Sequence, residues 1–269
     1  MTLVKKLFNP DHMTNNSELY KFSDFTLINY KKLINIAKKN NYSFSSFEPS
    51  FPGNEKLILW RHDVEFSPFI ALKMAIIEAE EGEKATYFFQ LHSEFYNILE
   101  KEISEIVDKI KLLGHDIGLH FDPHFFNIEK EAELEKHLEL DKQYFNAIFD
   151  TNIKVFSFHN TNKFILSCEN HQYAGLINVY SKYFKSDFSY CTDSTGFWRY
   201  ERLEEVLNDP GITKLQVLTH DAMWNDNVLS PRQRVLTSVE ANMERVKKFY
   251  DQALSKVGVK NVDWDKVYE

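Results

Sequence analysis

Five short segments of the 269-residue chain combine imidazole and carboxylate groups. They are Arg61-His62-Asp63-Val64-Glu65, His120-Phe121-Asp122-Pro123-His124, His159-Asn160, the stretch from Asp193 to Trp198, and His220-Asp221 followed by Trp224. Two imidazoles and one carboxylate brought to a point make a facial metal site with positions left open for water and substrate. His120 and His124 have a His-x-x-x-His spacing, and Asp63 and Glu65 offer carboxylates from a separate segment. The spacing alone is weak evidence, because ten histidines in a chain of this length often produce such a pair by chance. Pro123 disfavours helical backbone at Asp122, so the pair belongs in a turn. Its weight comes from the company it keeps, since structural histidines need no nearby carboxylates.

The elements that must position these residues alternate in type. Lys56 to Trp60 reads as a strand, then Ser67 caps and Pro68 opens a helix whose Ile70, Met74 and Ile77 share a face. Ala85 to Leu91 is strand-like and Ile98 to Leu113 helical, with Gly114 as its stop. Asp116 to His120 is a short strand, Glu129 to Phe149 a charged helix, and Ile153 to His159 another strand. A strand near Ser189, the strand Lys214 to Thr219 and the helix Pro231 to Leu254 complete the pattern. Lys163 to Tyr190 carries no clear period and is assigned one or two short strands. Such alternation predicts parallel strands joined by helices, in an irregular or incomplete (β/α) barrel of the α/β class. Residues 1–50 are expected to form an extension of a single domain spanning 1–269, with the helix Thr26 to Lys39 packed outside the barrel. In this architecture functional residues gather at the C-terminal ends of the strands, where all five segments fall.

Composition removes several classes of function. The formal charge is −8, and no Lys/Arg cluster exceeds a pair, so a nucleic-acid partner is not expected. No two glycines are spaced as in the dinucleotide fingerprint, and no Gly-Lys-Ser/Thr occurs. Gly114 and Gly118 alone have the spacing of a serine-hydrolase elbow, but Asp116 stands between them. Cys168 and Cys191 form neither a disulfide framework nor a zinc motif. With no secretory signal pattern and no membrane span, a cytoplasmic location is expected.

The segments, in their order, resemble the polysaccharide deacetylase family (carbohydrate esterase family 4). Its acidic pair is matched by Asp63 and Glu65, and its Ala-Thr-Phe-Phe strand by Ala85-Thr86-Tyr87-Phe88-Phe89. Its Gly-His-Glu-Ile-Gly-x-His motif is matched by Gly114-His115-Asp116-Ile117-Gly118-Leu119-His120, and His124 completes a metal pair. The match runs over residues 56–125, with looser likeness at Asp193 and Leu218-Thr219-His220. Arg-His-Asp-Val-Glu and Asp-Ser-Thr-Gly-Phe-Trp resemble a divergent subgroup associated with surface-polysaccharide biosynthesis. The resemblance implies a distorted (β/α) barrel and the hydrolytic removal of an acetyl group from an amino sugar. It makes Asp63 the general base, Glu65, His120 and His124 the metal ligands, and His220 the general acid supported by Asp193. Zinc is the first expectation for the ion, with Co, Mn, Ni or Fe as substitutes. Glu65 replaces the family's usual Asp, so the roles of Asp63 and Glu65 are interchangeable at this stage. Ser157-Phe158-His159-Asn160 replaces the usual arginine motif, and Asp221 is a potential partner for the His220 imidazole.

His159 is a candidate substrate contact, and Trp198 and Trp224 are candidate platforms for a sugar ring or core residues. The implied substrate is a small molecule or glycan, in particular a nucleotide- or lipid-linked amino sugar. Two other functions compete: an inactive carbohydrate-binding module on the same fold, and a 2-His-1-carboxylate iron oxygenase. The latter would use His120, Asp122 and His220, with Arg232 or Arg234 for a keto acid.

Overall fold

The computed structural model describes residues 21–51, 56–198 and 200–264. Nine strands form one sheet: β1 Ser43–Phe44, β2 Leu57–Val64, β3 Thr86–Phe89, β4 Asp116–Phe121, β5 Val155–Phe158, β6 Gln172–Tyr173, β7 Leu176–Asn178, β8 Ser189–Thr192 and β9 Lys214–His220. The order is β6-β7-β5-β4-β3-β2-β9-β8, with β1 against the start of β2. Every pairing is parallel except that of β6 with β7. The helices are α1 Leu27–Lys39, α2 Pro68–Glu80, α3 Lys101–Leu112, α4 Glu131–Phe149, α5 Lys163–Ser167, α6 Lys182–Asp187, α7 Leu203–Asn208 and α8 Pro231–Lys256. The curled parallel sheet with its flanking helices is an incomplete (β/α) barrel.

β2 lies inside the sheet between β3 and β9, and all eight of its residues are buried. It runs four residues past the apolar stretch that ends at Trp60. The extension is Arg61-His62-Asp63-Val64, whose polar members hydrogen-bond inside the protein, a source of strand stability that hydropathy does not reveal. Alternation along the strand sends Trp60 and His62 toward α1 and α2, where they meet Tyr30 and Glu78. Arg61 and Asp63 face the concave side, where Asp63 reaches Ser157 of β5. Ile58 and Leu59 are fully buried, each worth about 1.5–3 kcal/mol of transfer free energy.

The helix boundaries follow from local chemistry. Ser67 Oγ accepts from Ile70 N and Pro68 takes the first helical position of α2. Thr26 caps α1 in the same manner. Gly114 has φ +93°, a left-handed stop after α3 that favours glycine. Gly118 serves a different need, since an added Cβ would lie 2.5 Å from Phe88 Cε1. The stretch 163–190 holds more than the expected strands: α5, the β6–β7 hairpin and α6. Its turn residues Ala174 and Gly175 both have positive φ, the backbone of a tight two-residue hairpin.

α1 packs against α2 and α7, and β1 adds itself to the sheet beside β2. Residues 21–51 thus contribute a strand as well as an outer helix. Residues 1–20 of the expected extension lie outside the described residues. Among the described residues, no helix is long and apolar enough to cross a membrane.

Candidate metal centre

The C-terminal ends of β2, β4 and β5 converge. Glu65 leaves β2, His120 sits near the end of β4, and His159 follows β5. His120 Nε2 lies 3.1 Å from Glu65 Oε1 and 3.1 Å from His159 Nδ1, and His159 Nδ1 lies 3.0 Å from Glu65 Oε1. Three donors bound at right angles to one ion, each by a bond of about 2.1 Å, stand about 3.0 Å apart. One carboxylate and two imidazoles are also a donor set suited to a divalent transition metal. The residues therefore fit the ion that the sequence motifs imply, and they form a three-residue group that could hold a metal among the described residues.

Each ligand is held from behind. His120 Nδ1 is 2.7 Å from Ser157 Oγ, its direct cross-strand neighbour, and Ser157 donates to Asp63 Oδ1 at 3.0 Å. With Nδ1–H directed at Ser157, the lone pair of Nε2 points into the cluster. The Asn160 amide lies 2.7 Å from His159 Nε2, and turning its oxygen to that nitrogen leaves the Nδ1 lone pair for an ion. Glu65 is fixed by Asp221, whose carboxylate accepts from the backbone N–H groups of Glu65 at 2.8 Å, of Phe66 at 3.2 Å and of Ser67. Burial lifts the Asp221 carboxyl to about 6 against the opposing pull of those bonds. Burial also opposes ionisation of Glu65, yet hydrogen bonds from His120 and His159 outweigh it and hold the carboxyl well below its usual range.

Asp63 occupies a deeper place. Arg61 Nη1 donates to both of its oxygens, at 2.8 and 3.0 Å, and the two side chains are 0% and 2% exposed. The Arg61 guanidinium also lies over the Tyr180 ring. This placement separates the two acids of the sequence motif: Glu65 reaches the cluster, and Asp63 lies beside it, with Oδ2 3.8 Å from His120 Nδ1.

His220 is the register partner of Asp63 on β9. Its Nδ1 lies 2.6 Å from Asp193 Oδ1, and Trp224 Nε1 donates to Asp193 Oδ2 at 3.0 Å. Burial works against the imidazolium, but Asp193, with Glu65 and Asp63, outweighs it and lifts the group to about 10. These carboxylates favour the imidazolium form of His220. Asp221 does not pair with it, because that carboxylate is committed to the Glu65 loop.

The structure places three sets of sequence candidates away from the cluster. His124 is exposed and stands outside the cluster; its Nε2 is 2.8 Å from the Asn160 carbonyl, and His159 occupies the third place. Trp198 and Trp224 are buried, packed on Phe25 with centroids at 5.3 and 5.5 Å, and leave no open face for a sugar. Arg234 is buried as well, bonded to the Gly196 carbonyl and placed over Phe25, so it is not available to a keto acid. Sequence reasoning passed over Arg61, Ser157 and Asp221 as supporting groups. The two-residue step from Arg61 to Asp63 was a readable signal, whereas the other two depend on strand register.

A cleft of about 670 Å³ opens onto Glu65 and His159, walled by the polar Gln90, His92 and Asn160 and by the rings of Phe66, Phe95 and Phe125. This volume lies within the range of small-molecule sites. Fold and site together define an incomplete (β/α) barrel carrying a candidate Glu–His–His metal centre at its strand ends.

No protein-family model and no curated protein matches the sequence. Similar solved structures are family 4 carbohydrate esterases and peptidoglycan deacetylases. One is a family 4 carbohydrate esterase from Bacillus anthracis, 13% identical over 78% of this chain and 85% of that one, with a TM-score of 0.44. An acetyl xylan esterase of the same family from Clostridium thermocellum, in complex with a cobalt ion, is 14% identical over 71% and 84% of the two chains (TM-score 0.39). A family 4 pseudoenzyme from Bacillus anthracis is 12% identical over 74% and 66% (TM-score 0.43).

Proposed function

We propose that the protein is a metal-dependent deacetylase that hydrolyses the N-acetyl group of an amino sugar. The observation that carries this reading is the convergence of Glu65, His120 and His159 to 3.0–3.1 Å at the strand ends. The ordered motifs over residues 56–125 support the same chemistry.

A divalent ion held by Glu65, His120 and His159 would supply Lewis acidity toward the acetyl carbonyl and acidify a water molecule. Asp63 is the proposed base that removes the water proton as the water oxygen bonds to the carbonyl carbon. Arg61 and Ser157 hold its carboxylate in place. As the C–N bond breaks, the His220 imidazolium gives its proton to the departing nitrogen, and acetate and a free amine result. That acid is needed because an amide anion is a very poor leaving group. Asp193 maintains the charge and orientation of His220. The proposed substrate is a nucleotide- or lipid-linked amino sugar of surface-polysaccharide synthesis, in keeping with the divergent motifs, and the cleft beside Glu65 and His159 would receive its sugar.

The test is acetate release from acetylated nucleotide-linked and lipid-linked amino sugars by the metal-loaded chain, beside Asp63→Asn. Turnover that falls by about 10²-fold or more in the variant, with metal content unchanged, supports the assignment of the base. Unchanged turnover contradicts it. A loaded chain that binds these sugars but releases no acetate is instead a binding module.

A further inference from the structure

The long C-terminal helix α8 presents two unlike faces. Its inner face is anchored by Arg234 and Ser238, the two buried residues of the helix. On the opposite face Leu236, Val239, Met243, Val246 and Tyr250 are 42–52% exposed, and Val257 just beyond the helix is 71% exposed. With Ala253, these residues are separated by 3, 4, 3, 4, 3 and 4 positions. That is the a/d seam of a coiled coil, about 30 Å long at 1.5 Å per residue. A helix that needs only one buried face has no use for a second apolar stripe on the solvent side. Phe249, 63% exposed, broadens the stripe.

The flanking charges select the partner. Glu240 and Lys247 occupy equivalent e positions on one edge of the seam. In an antiparallel pair of identical helices centred between Met243 and Val246, each Glu240 faces Lys247 of the other copy. The central layer then stacks Met243 on Val246, the next Val239 on Tyr250, and the outer Leu236 on Ala253. A parallel pair places Glu240 beside Val235 and Lys247 beside Asn242, with no charge matched. The geometry points to a homodimer in which α8 of two copies pairs antiparallel through this seam, with the Glu240–Lys247 contacts fixing its register. This interface is on the face of α8 turned away from the barrel, so the metal centre of each copy stays open.

Sedimentation equilibrium of the full chain across a concentration series tests the proposal. The expected mass is twice that of one chain. Met243→Lys places a charge in the central layer and returns the mass to one chain, while its circular dichroism stays that of the folded protein. Glu240→Lys and Lys247→Glu each create two like-charge contacts and weaken the dimer about tenfold or more. An equimolar mixture of these two variants restores it, because every e-position contact is then complementary. A dimer that ignores all three substitutions overturns the proposal, as does a wild-type chain that stays monomeric. If that monomer floats with phosphatidylglycerol/phosphatidylcholine vesicles through the same face, the stripe is a membrane-contact surface instead.

Discussion

The molecule contains two clusters of one glutamate with two histidines, and they lie on opposite faces of β2. On the concave side are Glu65, His120 and His159. Under α2 are Glu78, His62 and His115. In the second cluster the polar atoms are spent on protein partners. Glu78 Oε1 takes His62 Nε2 at 2.7 Å and the Tyr30 hydroxyl, while Oε2 takes the Tyr87 hydroxyl at 2.5 Å. His62 Nδ1 meets Thr219 Oγ1, and His115 accepts from Ala85 N with one nitrogen and donates to the Ala75 carbonyl with the other. In the first cluster, His120 and His159 each spend one nitrogen on support and turn the other toward the common point. Residue type alone therefore does not mark a candidate metal site. Unspent donor atoms and an open cleft do.

Substitution at the glutamates separates the two roles most strongly. Glu78→Ala strands Tyr30, Tyr87 and His62 inside the protein and is expected to cost about 3–5 kcal/mol, read as a large drop in thermal midpoint with metal binding intact in the folded fraction. Glu65→Ala is expected to do the reverse, abolishing metal binding while the apo midpoint changes little. A Glu78 variant of normal stability would show that the buried network is dispensable.

Next in size are the groups behind the ligands. Asp221→Ala frees the Glu65 loop, and Ser157→Ala removes the rest of His120; each is expected to lower metal affinity about 10–100-fold, measured by chelator competition. Affinity unchanged in both would mean that the ligands are placed without them.

A separate effect is a shift along the pH axis. A folded value of about 10 for His220, above its unfolded value, stabilises the fold fully below the unfolded value and is lost as pH rises through about 10. The proton it carries is also the one proposed for the leaving amine. Asp193→Asn should therefore move the alkaline limb of acetate release to lower pH, and an unmoved limb would remove His220 from the acid role.

Parts of this arrangement were legible in the sequence because their signals are local. Ser67-Pro68 marks the start of α2, Gly114 the end of α3, and the apolar run ending at Trp60 the body of β2. Glu65 and His120 were recognisable because they follow strand-like segments and fit a motif order. His159 carried the same signal, a polar residue just after a strand, but the His-x-x-x-His spacing drew attention to His124. That spacing places two rings near each other along the chain without fixing their direction. The Pro123 turn sends His124 to the Asn160 carbonyl, while β5 delivers His159 across the sheet. Ser157 and Asp221 were not legible as supports, because their partners are set by register between segments 37 and 156 residues apart.

The choice between those two histidines is the most direct test of the account. Metal content per chain should be measured on protein purified without chelator, for wild type, His159→Ala and His124→Ala. The account predicts about one divalent ion in the wild type and in His124→Ala, and loss of the ion in His159→Ala. Retention in His159→Ala with loss in His124→Ala would contradict it, and would return the third ligand to the turn after β4.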